Sequence, residues 1–206
     1  MPTLLILADP APDSMTVMDG ERPVADQAMN QFNMLDSTLR RGLASGLPMV
    51  VVAASNLARQ ARTMVPGNDV IELPADLPPL SRADRLARAV AAGVAASAQA
   101  PGWILLPADM PVLQVDTLRA VAQAVLQYTV VFPQYRQLRG HPVGFSAELF
   151  SELIRLDNER DLARLTTRYP AMGLEVNDPG VLMQQSGHSG LEHFQRPWHS
   201  ESEMHL

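Results

Sequence analysis

One aspartate in this chain is delivered to its place by an apolar run. Trp103 to Leu106 reads as a buried strand, and Pro107-Ala108-Asp109-Met110-Pro111 follows it. A lone carboxylate at the C-terminal end of a parallel strand is where a magnesium ion and a nucleotide phosphate are commonly held. The same Asp-x-Pro spacing also suits an ordinary turn. Asp9 ends a second apolar run, Thr3 to Ala8. If those two strands are neighbours, as doubly wound sheets have it, Asp9 and Asp109 share one sheet edge and could form a two-carboxylate metal site. The alternative is that Asp9 caps the turn after its strand.

Other groups with chemical potential are fewer. All 16 basic residues are Arg, so no lysine ammonium is present to act as a compact phosphate clamp. Base composition of the gene is the ordinary cause of such a bias, but the chemical consequence is the same. Four of the five histidines, His188, His193, His199 and His205, fall in a polar tail. Their spacings of five, six and six residues keep no helical face, so a zinc cluster has little support and a solvated tail is the simpler reading.

The elements that must position these groups alternate in type. Strands are expected at Thr3–Ala8, Met49–Ala54, Val70–Leu73, Trp103–Leu106 and Val130–Phe132. Val24, Ala28, Phe32, Leu35, Leu39 and Leu43 recur at steps of three or four, one face of a helix from about Pro23 to Gly46. Ser81-Arg82-Ala83-Asp84 looks like a capping box opening a helix to about Gln99, with Leu86, Val90 and Val94 inward. A further helix runs from about Asp116 to Gln127. This alternation predicts an α/β fold of three layers, a mostly parallel sheet with helices on both faces. Ligands in such sheets bind beyond the strand C-terminal ends. After residue 133 the rhythm changes: a Gly-His-Pro turn, helices near Ala147–Leu156 and Asp161–Tyr169, and a strand near Leu174–Val176 suggest an appended section. The expected organisation is one domain over 1–183 and a tail over 184–206.

Composition narrows the functional classes. With 206 residues, 47% of them hydrophobic, the chain can bury a sizeable core. No apolar run approaches the roughly 20 residues that span a bilayer. The N-terminus lacks a basic region, and cysteine is absent, so a cytoplasmic protein without disulfides or thiolate-bound zinc is expected. A net charge of −6 opposes a broad nucleic-acid surface.

Several segments together resemble the molybdenum-cofactor nucleotidyltransferases, the MobA/MocA-like NTP transferases. Pro107-Ala108-Asp109-Met110-Pro111 resembles the family's L-G/A-D-M/Q-P motif. Val130-Val131-Phe132-Pro133-Gln134-Tyr135 and Arg139-Gly140-His141-Pro142-Val143-Gly144-Phe145-Ser146 are similar to its V-V-P-x-Y and R-G-H-P-V-x-F-S segments. Asp178-Pro179-Gly180-Val181-Leu182 resembles D-P-G-V-L, and Gly20-Glu21-Arg22-Pro23 resembles the G-x-P after the nucleotide loop. The resemblance implies a Rossmann-like domain, akin to the nucleotide-diphospho-sugar transferases, that moves a nucleotide from CTP or GTP onto the phosphate of molybdopterin. It implies magnesium on Asp109, nucleotide contacts at Leu7, Ala8, Asp9 and Arg22, and acceptor contacts at Arg139, Gly140, His141 and Pro142. For Gly140-His141-Pro142 a tight turn before a strand is an equal alternative.

The departures concentrate in the catalytic parts. The family's glycine-rich loop brings backbone N–H groups and basic side chains to the triphosphate. Here the first strand leads into Asp9-Pro10-Ala11-Pro12-Asp13-Ser14, with no Gly, two prolines lacking N–H groups and two added negative charges. Gln184 and Ser186 stand where late aspartates belong, and Arg88-Ala89 where a serine pair belongs. These differences leave a second reading, a catalytically degenerate homologue that binds or regulates.

Overall fold

The computed structural model describes residues 1–8, 24–74 and 81–183, without the side chains of 24–31, 82–83, 159, 162–163 and 166–167. The first four strands are β1 (Thr3–Ala8), β2 (Met49–Ala54), β3 (Val70–Leu73) and β4 (Gly102–Pro107). They lie parallel in the order β3-β2-β1-β4. Every residue of β1 and β4 is buried, which is why both read as unbroken apolar runs and not as alternating ones. Each fully buried Leu or Ile among them contributes roughly 1.5–3 kcal/mol of transfer free energy.

The helices cover both faces. α1 (Val24–Ser45), α2 (Ser55–Ala61) and α4 (Val115–Ala124) bury Leu35, Leu39, Leu57, Leu118 and Val121 against Leu4, Ile6, Ile104 and Leu106. α3 (Arg82–Ala96), α5 (Phe150–Leu153) and α6 (Glu159–Arg168) enclose Leu5, Leu7, Trp103 and Leu105 on the opposite face. The caps follow the sequence. Ser81 Oγ accepts from Asp84 N at 3.1 Å, as the capping pattern predicts. α1 stops where Gly46 adopts a φ of +73°, the left-handed conformation that suits glycine after a helix. Leu43, expected on the inward face of α1, is 48% exposed, because Gly42 and Ser45 carry the buried face there, with Gly42 against Leu4 and Ile6.

The section after residue 133 corrects an expectation: it is not appended but completes the sheet. β5 (Val130–Tyr135) is followed by β6 (Leu138–Arg139) and β7 (Val143–Ser146), both antiparallel to it. β7 inserts between β4 and β5, and β8 (Ala171–Glu175) pairs parallel with β5. The helix expected near Ala147–Leu156 is a 3-10 turn at Ala147–Leu149 and the short α5. Strand order places the C-terminal ends of β1, β4, β5 and β8 along one edge, where β7 begins. Among the described residues no helix is long and apolar enough to cross a membrane.

Candidate active site

Asp109 sits in the first turn beyond β4, 9% exposed, beside the end of β1. The expectation that strands one and four are neighbours holds, with Leu7 opposite Pro107. Ala108 N donates to Leu7 O at 3.0 Å, so the Asp109 turn starts as an extension of the β1–β4 ladder. Leu7 and Ala8 are buried at that edge. Asp9 and Arg22 lie outside the described residues, as does the whole proline-containing segment after β1.

Three segments far apart in sequence converge here. Gly140-His141-Pro142 forms an irregular bulge between β6 and β7, with a cis bond between His141 and Pro142. Gly140 N donates to Pro133 O and His141 N to Val181 O, both at 2.9 Å. A side chain at 140 would put its Cβ 2.3 Å from Val181 O, so only glycine permits this approach. Val181 belongs to a 3-10 turn, Pro179–Leu182. Asp178 opens that turn by accepting from Gly180 N at 2.8 Å. Its other oxygen accepts from Gln114 N at 2.9 Å and Thr117 Oγ1 at 2.7 Å, which closes the first turn of α4. A carboxylate at that helix N-terminus is favoured by the helix dipole. Asp178 therefore welds the late Asp-Pro-Gly segment to the loop after Asp109. With both oxygens committed and 2% exposure, it is a structural acceptor and not an open metal ligand.

The remaining residues named from sequence differ in access. Arg139 is half-buried, its guanidinium 5.4 Å from the centre of the Phe132 ring. Gly140 and Pro142 are buried, and His141 is 0% exposed. Neither ring nitrogen of His141 has a hydrogen-bond partner among the described residues. Desolvation lowers its pKa from 6.5 to about 4, so the imidazole is neutral at physiological pH. It cannot present a cation to an anionic ligand; the charged donor in this segment is Arg139.

Among the described residues, no group of three or more His, Asp or Glu is arranged to hold a metal ion. Asp109, the buried carboxylate that the described residues place at the β1–β4 edge, fits magnesium, which keeps several waters and is normally bound by one or two carboxylates together with ligand phosphates. Away from these segments, a cavity of about 310 Å³ opens between α5 and α6. There Arg155, Arg164 and Arg168 face Glu152 and Asp161, charges that largely balance.

Sequence reasoning missed the contacts that anchor the Asp109 loop. Thr38 Oγ1 donates to Ala108 O at 2.9 Å, and Arg41 donates to Pro111 O and, at 3.0 Å, to Leu113 O. The available signal was a polar residue, Thr38, inside the apolar stripe of Leu35 and Leu39.

Comparison with known proteins fits this architecture. Rv0371c from Mycobacterium tuberculosis H37Rv superposes with a TM-score of 0.62 at 19% identity, covering 94% of this chain and 96% of that one. Its complex with manganese gives 0.56 at 22% identity, covering 84% and 87%. A nucleotidyl transferase from Methanothermobacter gives 0.59 at 19% identity, covering 95% and 96%. At such identities the likeness establishes the fold. No curated protein matches the sequence. The sequence profile of the MobA-like NTP transferase domain, however, matches residues 18–172, so most of this chain belongs to that nucleotidyltransferase family.

Proposed function

We propose that this protein transfers a nucleotidyl group from CTP or GTP to the phosphate of a molybdopterin-like acceptor. The observation that carries the reading is the convergence of the Asp109 turn, the Arg139–Pro142 bulge and the Asp178 turn on one sheet edge. Asp109 would hold a magnesium ion, whose contribution when bound is to neutralise phosphate charge. The likeness to a fold relative solved in complex with manganese supports the use of a divalent ion. An acceptor phosphate oxygen attacks the α-phosphorus, forming a phosphoanhydride as the bond to the leaving pyrophosphate breaks. The protein's part is positioning and charge neutralisation. Arg139 supplies a planar donor pair suited to an anionic acceptor, and Phe132 beneath it limits its motion. Arg22 would cover for the missing lysine at the triphosphate.

A second reading, a non-catalytic binding or regulatory protein, is favoured by Asp9-Pro10-Ala11-Pro12-Asp13, which adds negative charge where a triphosphate would lie. Melting curves separate the two. With magnesium and either CTP or GTP at about 100 times its dissociation constant, the first reading expects roughly 2.7 kcal/mol of added stability. It also expects pyrophosphate release with a pterin phosphate present. No shift with either nucleotide at millimolar concentration would refute transfer. A shift with the pterin phosphate alone would support the second reading.

A further inference from the structure

We infer that Thr38 and Arg41 of α1 are positioning residues for the Asp109 carboxylate. The inference rests on the reading that Asp109 holds a divalent cation. A buried threonine in a helix commonly returns its hydroxyl to the carbonyl four residues earlier. Thr38 is 0% exposed and instead donates to Ala108 O, 70 residues away and immediately before Asp109. Arg41, one turn further along, donates to Pro111 O and Leu113 O, just after Asp109. One helix thus grips the loop on both sides of the carboxylate. Met110, also 0% exposed, anchors the intervening residue in the core.

The grip is itself braced. Arg119 of α4 donates to Ala44 O at 3.0 Å and Ser45 O at 3.2 Å, satisfying carbonyls at the C-terminal end of α1. Asp178 holds the far end of the loop through Gln114 N. Groups that orient a metal ligand typically govern affinity by 10–100-fold.

The test titrates manganese chloride into the protein, with and without CTP or GTP, following water-proton relaxation. Folding of each variant is checked by circular dichroism. Thr38→Val keeps the side-chain volume and removes the hydroxyl; it should weaken manganese binding about tenfold, while Thr38→Ser should restore it to within about twofold. Should Thr38→Val not fold, Arg41→Gln reads the other side of the loop, with the same tenfold weakening expected. A folded Thr38→Val or Arg41→Gln protein with wild-type manganese affinity overturns the inference. Asp109→Asn serves as the independent control. If it binds manganese as tightly as the wild type, or if the wild type binds none, the reading of Asp109 fails and the positioning role falls with it. If Asp109→Asn loses the metal while the α1 variants retain it, the positioning role alone is wrong.

Discussion

Acidification should expose the cost of burying His141. In the folded protein the imidazole is fully buried, and its pKa is held near 4. In the unfolded chain it takes up a proton near its ordinary value of 6.5. Between those values the unfolded state binds more protons, so stability falls as the pH falls. The contribution is complete above pH 6.5 and is lost progressively toward pH 4. The full gap corresponds to about 3 kcal/mol, of which about 2 kcal/mol is gone by pH 5. That is a large share of the roughly 5–15 kcal/mol that holds a domain together. Urea unfolding of the wild type, His141→Gln and His141→Leu at pH 7.5, 6 and 5 measures the effect. The variants carry their own offsets at pH 7.5, so only the change with pH is compared. The tail histidines are present in all three proteins and cancel in the comparison. The wild type should lose about 2 kcal/mol more than either variant between pH 7.5 and pH 5. Parallel curves would show that His141 is solvated or charged in the native state, and the burial argument would fail.

Two further outcomes follow from local geometry. The β5–β6 hairpin turns through Arg136 and Gln137 at φ of +52° and +66°, a two-residue loop that favours glycine at its second position. Gln137→Gly should therefore raise stability by about 0.5–1 kcal/mol, read as a higher thermal midpoint; a lower midpoint would contradict it. Asp178→Ala strands Gly180 N, Gln114 N and the Thr117 hydroxyl without their acceptor. It should cost about 3 kcal/mol in urea unfolding. A loss under 1 kcal/mol would mean that water replaces the carboxylate freely.

Much of the scaffold was legible in the chain itself. β1, β2 and β3 fall at the residues expected; β1 and β2 are buried on both faces, and such strands must be unbroken apolar runs, while β3 is an edge strand that keeps Glu72 exposed. The cap at Ser81 and the stop at Gly46 are local chemistry, set by a side-chain oxygen and by a left-handed φ. α2 was not legible. It has seven residues, follows β2 directly and has no side-chain cap at Ala54, so its helical period is too short to register. β7 was foreseen only as a strand after the Gly140-His141-Pro142 turn, and its insertion between β4 and β5 was not legible. Gly144 lies in it because Val121 and Val125 of the neighbouring helical segment fill the space a side chain would take, and nothing adjacent in sequence reports that.

The candidate site divides in the same way. Asp109 could be singled out from its own neighbourhood, since an apolar run followed by a carboxylate and a proline marks a strand end and a candidate ligand there. What surrounds Asp109 depended on chain crossings. The loop is gripped by Thr38 and Arg41, 70 or more residues earlier, and braced by Asp178, more than 60 residues later. Asp178 reads in sequence as one more family carboxylate; its three donors make it a weld between segments. His141 reads as a polar turn residue, and only its burial in the folded chain makes it a neutral ring. Local propensity and apolar patterning act between near neighbours and so are written in order along the chain. Burial, hydrogen-bond partnership and protonation depend on which distant segments meet, and those were decided by the closing of the sheet.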